Sequence, residues 1–197
     1  MADNNEFRLF GGDRLTGYLK AKLASVSSLA DRITHADLLA ASPAALAQPF
    51  VEQLSVAPLV LQLEQMKREE FKIKIGRVMD TRDYGNVVKR EVMVPGFMMH
   101  YLIPFIGDPQ LWLLNNGPFL ECQGQLDAEQ RILTLTLQNT GDVASTWYQR
   151  QMEVTMKDID RHLYDQALVL KEYRLDLAEA VARAVARRGQ QLQASGA

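Results

Sequence analysis

An α+β domain closed by a long C-terminal helix is what this sequence predicts, on three observations. Apolar residues recur every three or four positions from Leu15 to Ile33, and then at every second position in segments between Leu59 and Gln138. The helical spacing returns from Val143 to Arg188, a stretch with neither Gly nor Pro. At 197 residues, with 47% apolar and 23% charged side chains, the chain holds enough apolar material for one sizeable core. Its net charge of −2 argues against attraction to polyanions over the whole surface and leaves a local basic patch open. Cys122 is the single cysteine, which excludes an intrachain disulfide. No apolar run reaches the roughly 18 residues that cross a bilayer, and the start MADNNEFRLFGGDR lacks a basic, then apolar leader pattern. The expectation is a cytoplasmic protein with no membrane partner.

The first twelve residues are polar and end in Gly11 and Gly12, so they read as a flexible terminus. Leu15, Leu19, Leu23, Val26, Leu29 and Ile33 form one stripe of a helix from about Asp13 to Ile33. Thr34, three residues before Asp37, is placed to cap a short second helix. Ser42 followed by Pro43 starts a third, which Ala44 to Leu54 continue.

Strand periodicity begins after Pro58. Leu59, Leu61 and Leu63 share one face of a first strand, and Phe71, Ile73 and Ile75 one face of a second. Asp80 to Asn86 reads as a polar loop. Because Pro lacks a ladder donor, the next strand is placed between Pro95 and Pro104, from about Phe97 to Ile103. Gly107, Asp108 and Pro109 turn the chain into an apolar plug, Leu111 to Leu114. Phe119 to Leu126 and Arg131 to Gln138 make a hairpin across residues 127–130, with Leu133, Leu135 and Leu137 facing the core.

From Met152 through Met156, Ile159, Leu163, Ala167, Leu170, Tyr173, Leu177 and Val181 to Ala184, one apolar row runs along about nine turns of a helix that the Gly- and Pro-free stretch from Val143 to Arg188 carries past ten. Such a helix reaches about 65 to 70 Å at about 1.5 Å per residue. A compact domain of this size is about 40 Å across. The helix therefore either folds back or projects with a row that needs a partner. Projection with self-association is the expectation, Met156, Leu163, Leu170 and Leu177 forming the seam of a homo-oligomer or the contact to a partner protein. The organisation expected is a terminus over 1–12, the α+β domain over 13–142, the helix or arm over 143–193 and a tail over 194–197.

The strings AQPFVEQLSVAPLVLQLEQ and VPGFMMHYLIPFIGDPQLWLL, a hairpin, and a long helix closing in AVARAVARRGQQL stand in that order. In this the chain resembles, over roughly Leu46 to Leu192, the N-terminal region of a group of bacterial proteins associated with anti-phage defence. Ile103-Pro104-Phe105-Ile106-Gly107-Asp108-Pro109 and the Arg187-Arg188 pair are the elements that carry the likeness most specifically. Longer members of that group continue into a restriction-endonuclease-like domain of the PD-(D/E)xK type. Such a nuclease needs acidic residues and a lysine gathered around a divalent cation. The sequence stops at Ala197, before a segment of that kind, so the resemblance implies a chain without phosphodiester chemistry. What it implies instead is a sensor, oligomerisation or partner-binding module that acts with an effector nuclease.

No residue pattern announces catalysis, a metal or a cofactor. His162 with Asp158 and Asp165 can share a helix face and ligate a metal, but two carboxylates and an imidazole on a helix more often form a solvated ion-pair cluster. His100 reads as a packed strand histidine and Cys122 as a small buried hydrophobe. The Gly107 turn lacks the glycine spacing of a phosphate cradle, and Trp112 and Trp147 read as anchors more than as base-stacking platforms. Two basic clusters carry the alternative function, a nucleic-acid-binding module that delivers a nuclease to DNA. Lys72, Lys74 and Arg77 interleave with apolar strand residues, a pattern that also protects an edge strand. Arg187 and Arg188 close the long helix, where cations also complement the helix dipole.

Overall fold

The computed structural model of the chain describes residues 6–83, 86–117, 123–140 and 146–195. Its elements in order are β1 (Glu6–Arg8), α1 (Leu15–Ala30), α2 (His35–Ala40), α3 (Pro43–Leu54), β2 (Val60–Leu61), β3 (Lys67–Asp83), β4 (Asn86–Ile106), β5 (Gln123–Asp127), β6 (Ile132–Asn139) and α4 (Thr146–Ser195). The class is α+β: helices, a mainly antiparallel six-stranded sheet and a long C-terminal helix. The chain divides into two compact units, the first made of Met1–Leu9, Val60–Ile106 and Leu120–Asp160, the second of Phe10–Leu59, Gly107–Phe119 and Arg161–Ala197.

In the first unit the strand order is β1-β5-β6-β4-β2, with β3 also paired to β4. Met99, Tyr101, Ile103 and Phe105 of β4 are buried and alternate with half-buried His100, Leu102 and Pro104, so one face of the sheet makes the core. Register sets Leu137, Leu135 and Leu133 of β6 opposite Met99, Tyr101 and Ile103. The Tyr148 hydroxyl at the start of α4 donates to Phe97 O at 3.0 Å, which seats the first turns of the helix on that sheet. Register puts Arg68, Glu70 and Lys72 of β3 on the core face as well. Charged side chains along an outer strand discourage further strand addition.

Four expectations give way here. The loop expected from Asp80 to Asn86 is strand up to Asp83 and again from Asn86, and β4 runs through both prolines that were to bound it. Phe105 N–H donates to Arg131 O, so odd positions of β4 address the β6 side. Pro95 is odd and lies beyond Phe97, where the pairing with β6 ends, so its missing donor has no strand to serve among the described residues. Pro104 offers its carbonyl to Gln62 N–H, and its missing donor falls between the Leu61↔Phe105 pair and the Lys67↔Leu102 pair. Gly96 marks the end of β6: a Cβ there would meet Asn139 O at 2.8 Å. The strand expected from Leu59 shrinks to β2, followed by a 3₁₀ turn at Leu63–Gln65. The terminus is also more ordered than its composition suggests, since β1 pairs with β5 and Leu9 and Phe10 are buried.

The second unit starts its helices where the capping residues stand. Thr34 and Asp37 form a reciprocal capping box on α2, and Ser42 accepts from Ala45 N–H ahead of Pro43 on α3. Phe10 N–H donates to Trp112 O at 2.7 Å and Asn115 N–H to Asp13 O at 2.8 Å, which ties the segment before α1 to the apolar plug. Leu111 and Trp112 of the plug are fully buried, in a 3₁₀ turn at Pro109–Trp112 that Asp108 caps. Gly107, at φ 110°, is the residue this turn requires, because a Cβ would overlap Pro58 O.

Candidate functional site

The long helix carries two apolar rows, not one. α4 is unbroken for 50 residues, and most of its first row is already covered within one chain. In the second unit Leu170, Tyr173, Leu177, Val181 and Ala184 are buried, the Tyr173 hydroxyl donates to Leu54 O at 2.8 Å, and Arg188 Nε donates to Ile33 O at 3.1 Å. This corrects the expected oligomer seam at Leu170 and Leu177. Leu170 and Leu177 are 2% and 0% exposed, so neither is free to meet another molecule, and Met156 and Leu163 are half-buried. It corrects the free arm as well, because a helix tied by its apolar row does not project as a bare spike.

On the opposite side of α4, Tyr164, Leu168 and Leu175 are 66%, 48% and 69% exposed. With a repeat of about 3.6 residues per turn, Tyr164, Leu168, Lys171, Leu175, Ala178 and Ala182 fall in one line. The signal was in the sequence, as Leu168 and Leu175 stand one heptad apart. The stronger first row concealed it.

His162 belongs to the buried side, not to a solvated cluster. Its ring stacks on Phe10 at 4.6 Å with an interplanar angle of 8°. Gln166, one turn on, donates from Nε2 to Leu111 O at 2.8 Å and to Leu114 O at 3.2 Å. Together the two polar residues fix the helix against the plug at a defined register, because a shift of one turn would strand these carbonyls. Among the described residues no group of three His, Cys, Asp or Glu could hold a metal ion.

The other titratable groups are held in place more than poised for chemistry. Burial pushes the Tyr173 phenol up to about 12 from its ordinary 10.0, with Tyr18 adding to the rise. Burial also raises Tyr18, helped by the charge of Asp108 and a hydrogen bond to it. A phenol bound to a carboxylate in this way is a fixed donor. Tyr101 and Tyr148 are raised by burial too. His100 packs against Phe71 with ring centroids 4.9 Å apart, Trp112 is a core anchor, and Trp147 meets Tyr148 edge-on. Cys122 lies outside the described residues.

The basic residues separate into two groups. Arg187 donates to Ser27 Oγ at 3.2 Å and Arg188 to the Ile33 carbonyl, so both brace α4 against the helices of the second unit. These bonds leave their assignment as nucleic-acid contacts open, since Arg187 is exposed, and Arg183 pairs with Glu179 at 3.1 Å. Lys72, Lys74 and Arg77 are all exposed on β3, but not on one face. Opposed residues of an antiparallel pair share a face, so Lys72 and Lys74 lie with Lys89, while Arg77 lies with Arg90 on the reverse. Lys89 and Arg90 become part of the group through the β3–β4 register, which no local pattern discloses.

Comparison with protein-family models, curated proteins and solved structures finds no match. Among the described residues no helix is long and apolar enough to cross a membrane.

Proposed function

We infer that the protein is a non-catalytic assembly module in which α4 pairs with α4 of a second copy through its outer row. The observation that carries this reading is the exposure of Tyr164, Leu168 and Leu175 in line on a helix whose other apolar row is buried at most of its positions. Charge decides the direction. Parallel pairing in register would set Lys171 against Lys171 and Arg161 against Arg161. Antiparallel pairing with Leu168 opposite Leu175 instead brings Lys171 to Glu172 and Arg161 near Glu179 of the second copy, each twice by symmetry. The resemblance to defence-type proteins supports a module of this kind acting with an effector nuclease domain, two copies of which the paired helices would gather.

Sedimentation of the full chain tests the pairing. A dimer is expected with Kd in the micromolar range, about 8 kcal/mol. Leu168→Glu with Leu175→Glu is expected to give a monomer of unchanged thermal midpoint, since both side chains are already exposed. Lys171→Glu should weaken the dimer, and adding Glu172→Lys should restore it. A wild-type chain that stays monomeric at about 100 µM, or a Glu variant that associates equally well, removes the reading.

A further inference from the structure

The β3–β4 ladder outruns the sheet. β6 pairs with β4 from Phe97 to Pro104, whereas β3 pairs with it all the way from Lys67↔Leu102 to Asp83↔Asn86. From Ile73↔Gly96 outward the two strands form a ribbon with no third strand among the described residues. We propose that this ribbon is an arm for double-stranded DNA, lying in the major groove with its cations against the phosphates.

Size, charge and the disposition of charge support this together. Eleven residue pairs at about 3.4 Å each span roughly 37 Å, close to the 34 Å or so of one duplex turn. Two strands about 4.8 Å apart, with side chains, suit a groove about 12 Å wide, which admits a two-stranded ribbon. Residues 72–97 hold six basic and three acidic side chains in a chain of net charge −2, so the positive charge gathers on the arm. Lys72, Lys74 and Lys89 sit on one face and Arg77 and Arg90 on the other, all exposed. Glu91 lies back across Gly76, where a Cβ would come within 2.6 Å of its Oε1.

The ribbon also has apolar residues, Ile73, Ile75, Val92 and Val94, on the Arg77 face, and a second copy is the rival occupant. The distribution of charge favours DNA. Cations on both faces are costly to desolvate against protein, while a groove offers phosphates on either side of the ribbon.

Anisotropy of a labelled duplex of about 20 base pairs, titrated with the full chain, tests the proposal. Four phosphate contacts give a slope of log affinity on log salt near −3.6, so binding is expected to weaken roughly 10²-fold between about 50 and 200 mM salt. Lys74→Gln with Lys89→Gln should cost about tenfold and make the slope about 2 shallower, whereas Lys67→Gln, at the sheet end of β3, should change little. Circular dichroism and the thermal midpoint verify that the variants fold. Duplex RNA, whose major groove is too narrow for a ribbon, is expected to bind at least tenfold more weakly. Absence of binding at 50 mM salt, equal affinity for heparin or duplex RNA, or unchanged binding by the Gln variant overturns the proposal. So does salt-insensitive self-association that Ile75→Glu abolishes, the signature of the ribbon pairing with a second copy.

Discussion

The two halves of β4 are one strand in two environments. From Phe97 to Leu102 it lies between β3 and β6, with β6 continuing to Pro104, and Met99, Tyr101 and Ile103 are buried. From Asn86 to Gly96 it has β3 alone among the described residues, and Val92 and Met93 stay exposed. The outer half is rich in Val and the inner half in aromatic and large aliphatic residues, all compatible with a strand, so strand propensity does not separate them. What separates them is a third strand and the first turns of α4, which Tyr148 seats at Phe97. An isolated two-stranded ribbon is marginal in water, so the outer half depends on its anchorage in the sheet and gains from a ligand that covers it.

The largest effect should come from emptying the inner half. Ile103→Ala is expected to cost about 2 to 5 kcal/mol in urea unfolding, because it leaves a cavity in a fully buried layer. Val92→Ala in the outer half should cost about 0.5 kcal/mol or less. Equal costs would mean that the ribbon is packed as tightly as the sheet. A middling effect is expected at the junction. Tyr148→Phe removes the hydroxyl that donates to Phe97 O and should cost about 1 kcal/mol. Hydrogen exchange of that variant should quicken most in residues near Phe97, and a uniform change across β4 would deny the junction its role.

The smallest effect is a pH dependence that sharpens the contrast from outside it. The folded protein raises Tyr148 and Tyr173 above 10.0, Tyr173 to about 12, so both hold their protons more tightly than in the unfolded chain. Their contribution is therefore complete below pH 10 and is lost as the pH climbs toward 12. Tyr173→Phe should flatten that alkaline decline, as read by the urea midpoint against pH. A decline that keeps its full slope in Tyr173→Phe would assign it to other groups.

Much of the fold was legible because its signals are local. Thr34 with Asp37 and Ser42 with Pro43 fix helix starts through chemistry within four residues, and Leu133 with Leu135 declares a buried strand face. The missed features are non-local. Pro95 reads as a strand boundary until the absence of β6 beside it removes the cost of the lost donor. Leu170 and Leu177 read as an open seam until residues far away in sequence cover them, as the Leu54 carbonyl does for neighbouring Tyr173. Arg187 and Arg188 read as cations at a helix end, and their bonds to Ser27 and the Ile33 carbonyl join residues more than 150 positions apart. Lys74 was visible as a basic strand residue, whereas its companion Lys89 joins it through the pairing of Asp80 with Lys89 and Lys74 with Pro95.

Sequence alone determined the class of the chain, the starts of its short helices, the hairpin and an unbroken terminal helix, since periodicity and capping act over one or two turns. Tertiary structure alone decided which apolar row of α4 is spent and which remains outward, and how far β3 and β4 extend past their neighbours. Those outcomes follow from contacts between residues remote along the chain, and a repeat of 3.6 or 2 says which side chains share a face but not what will cover it.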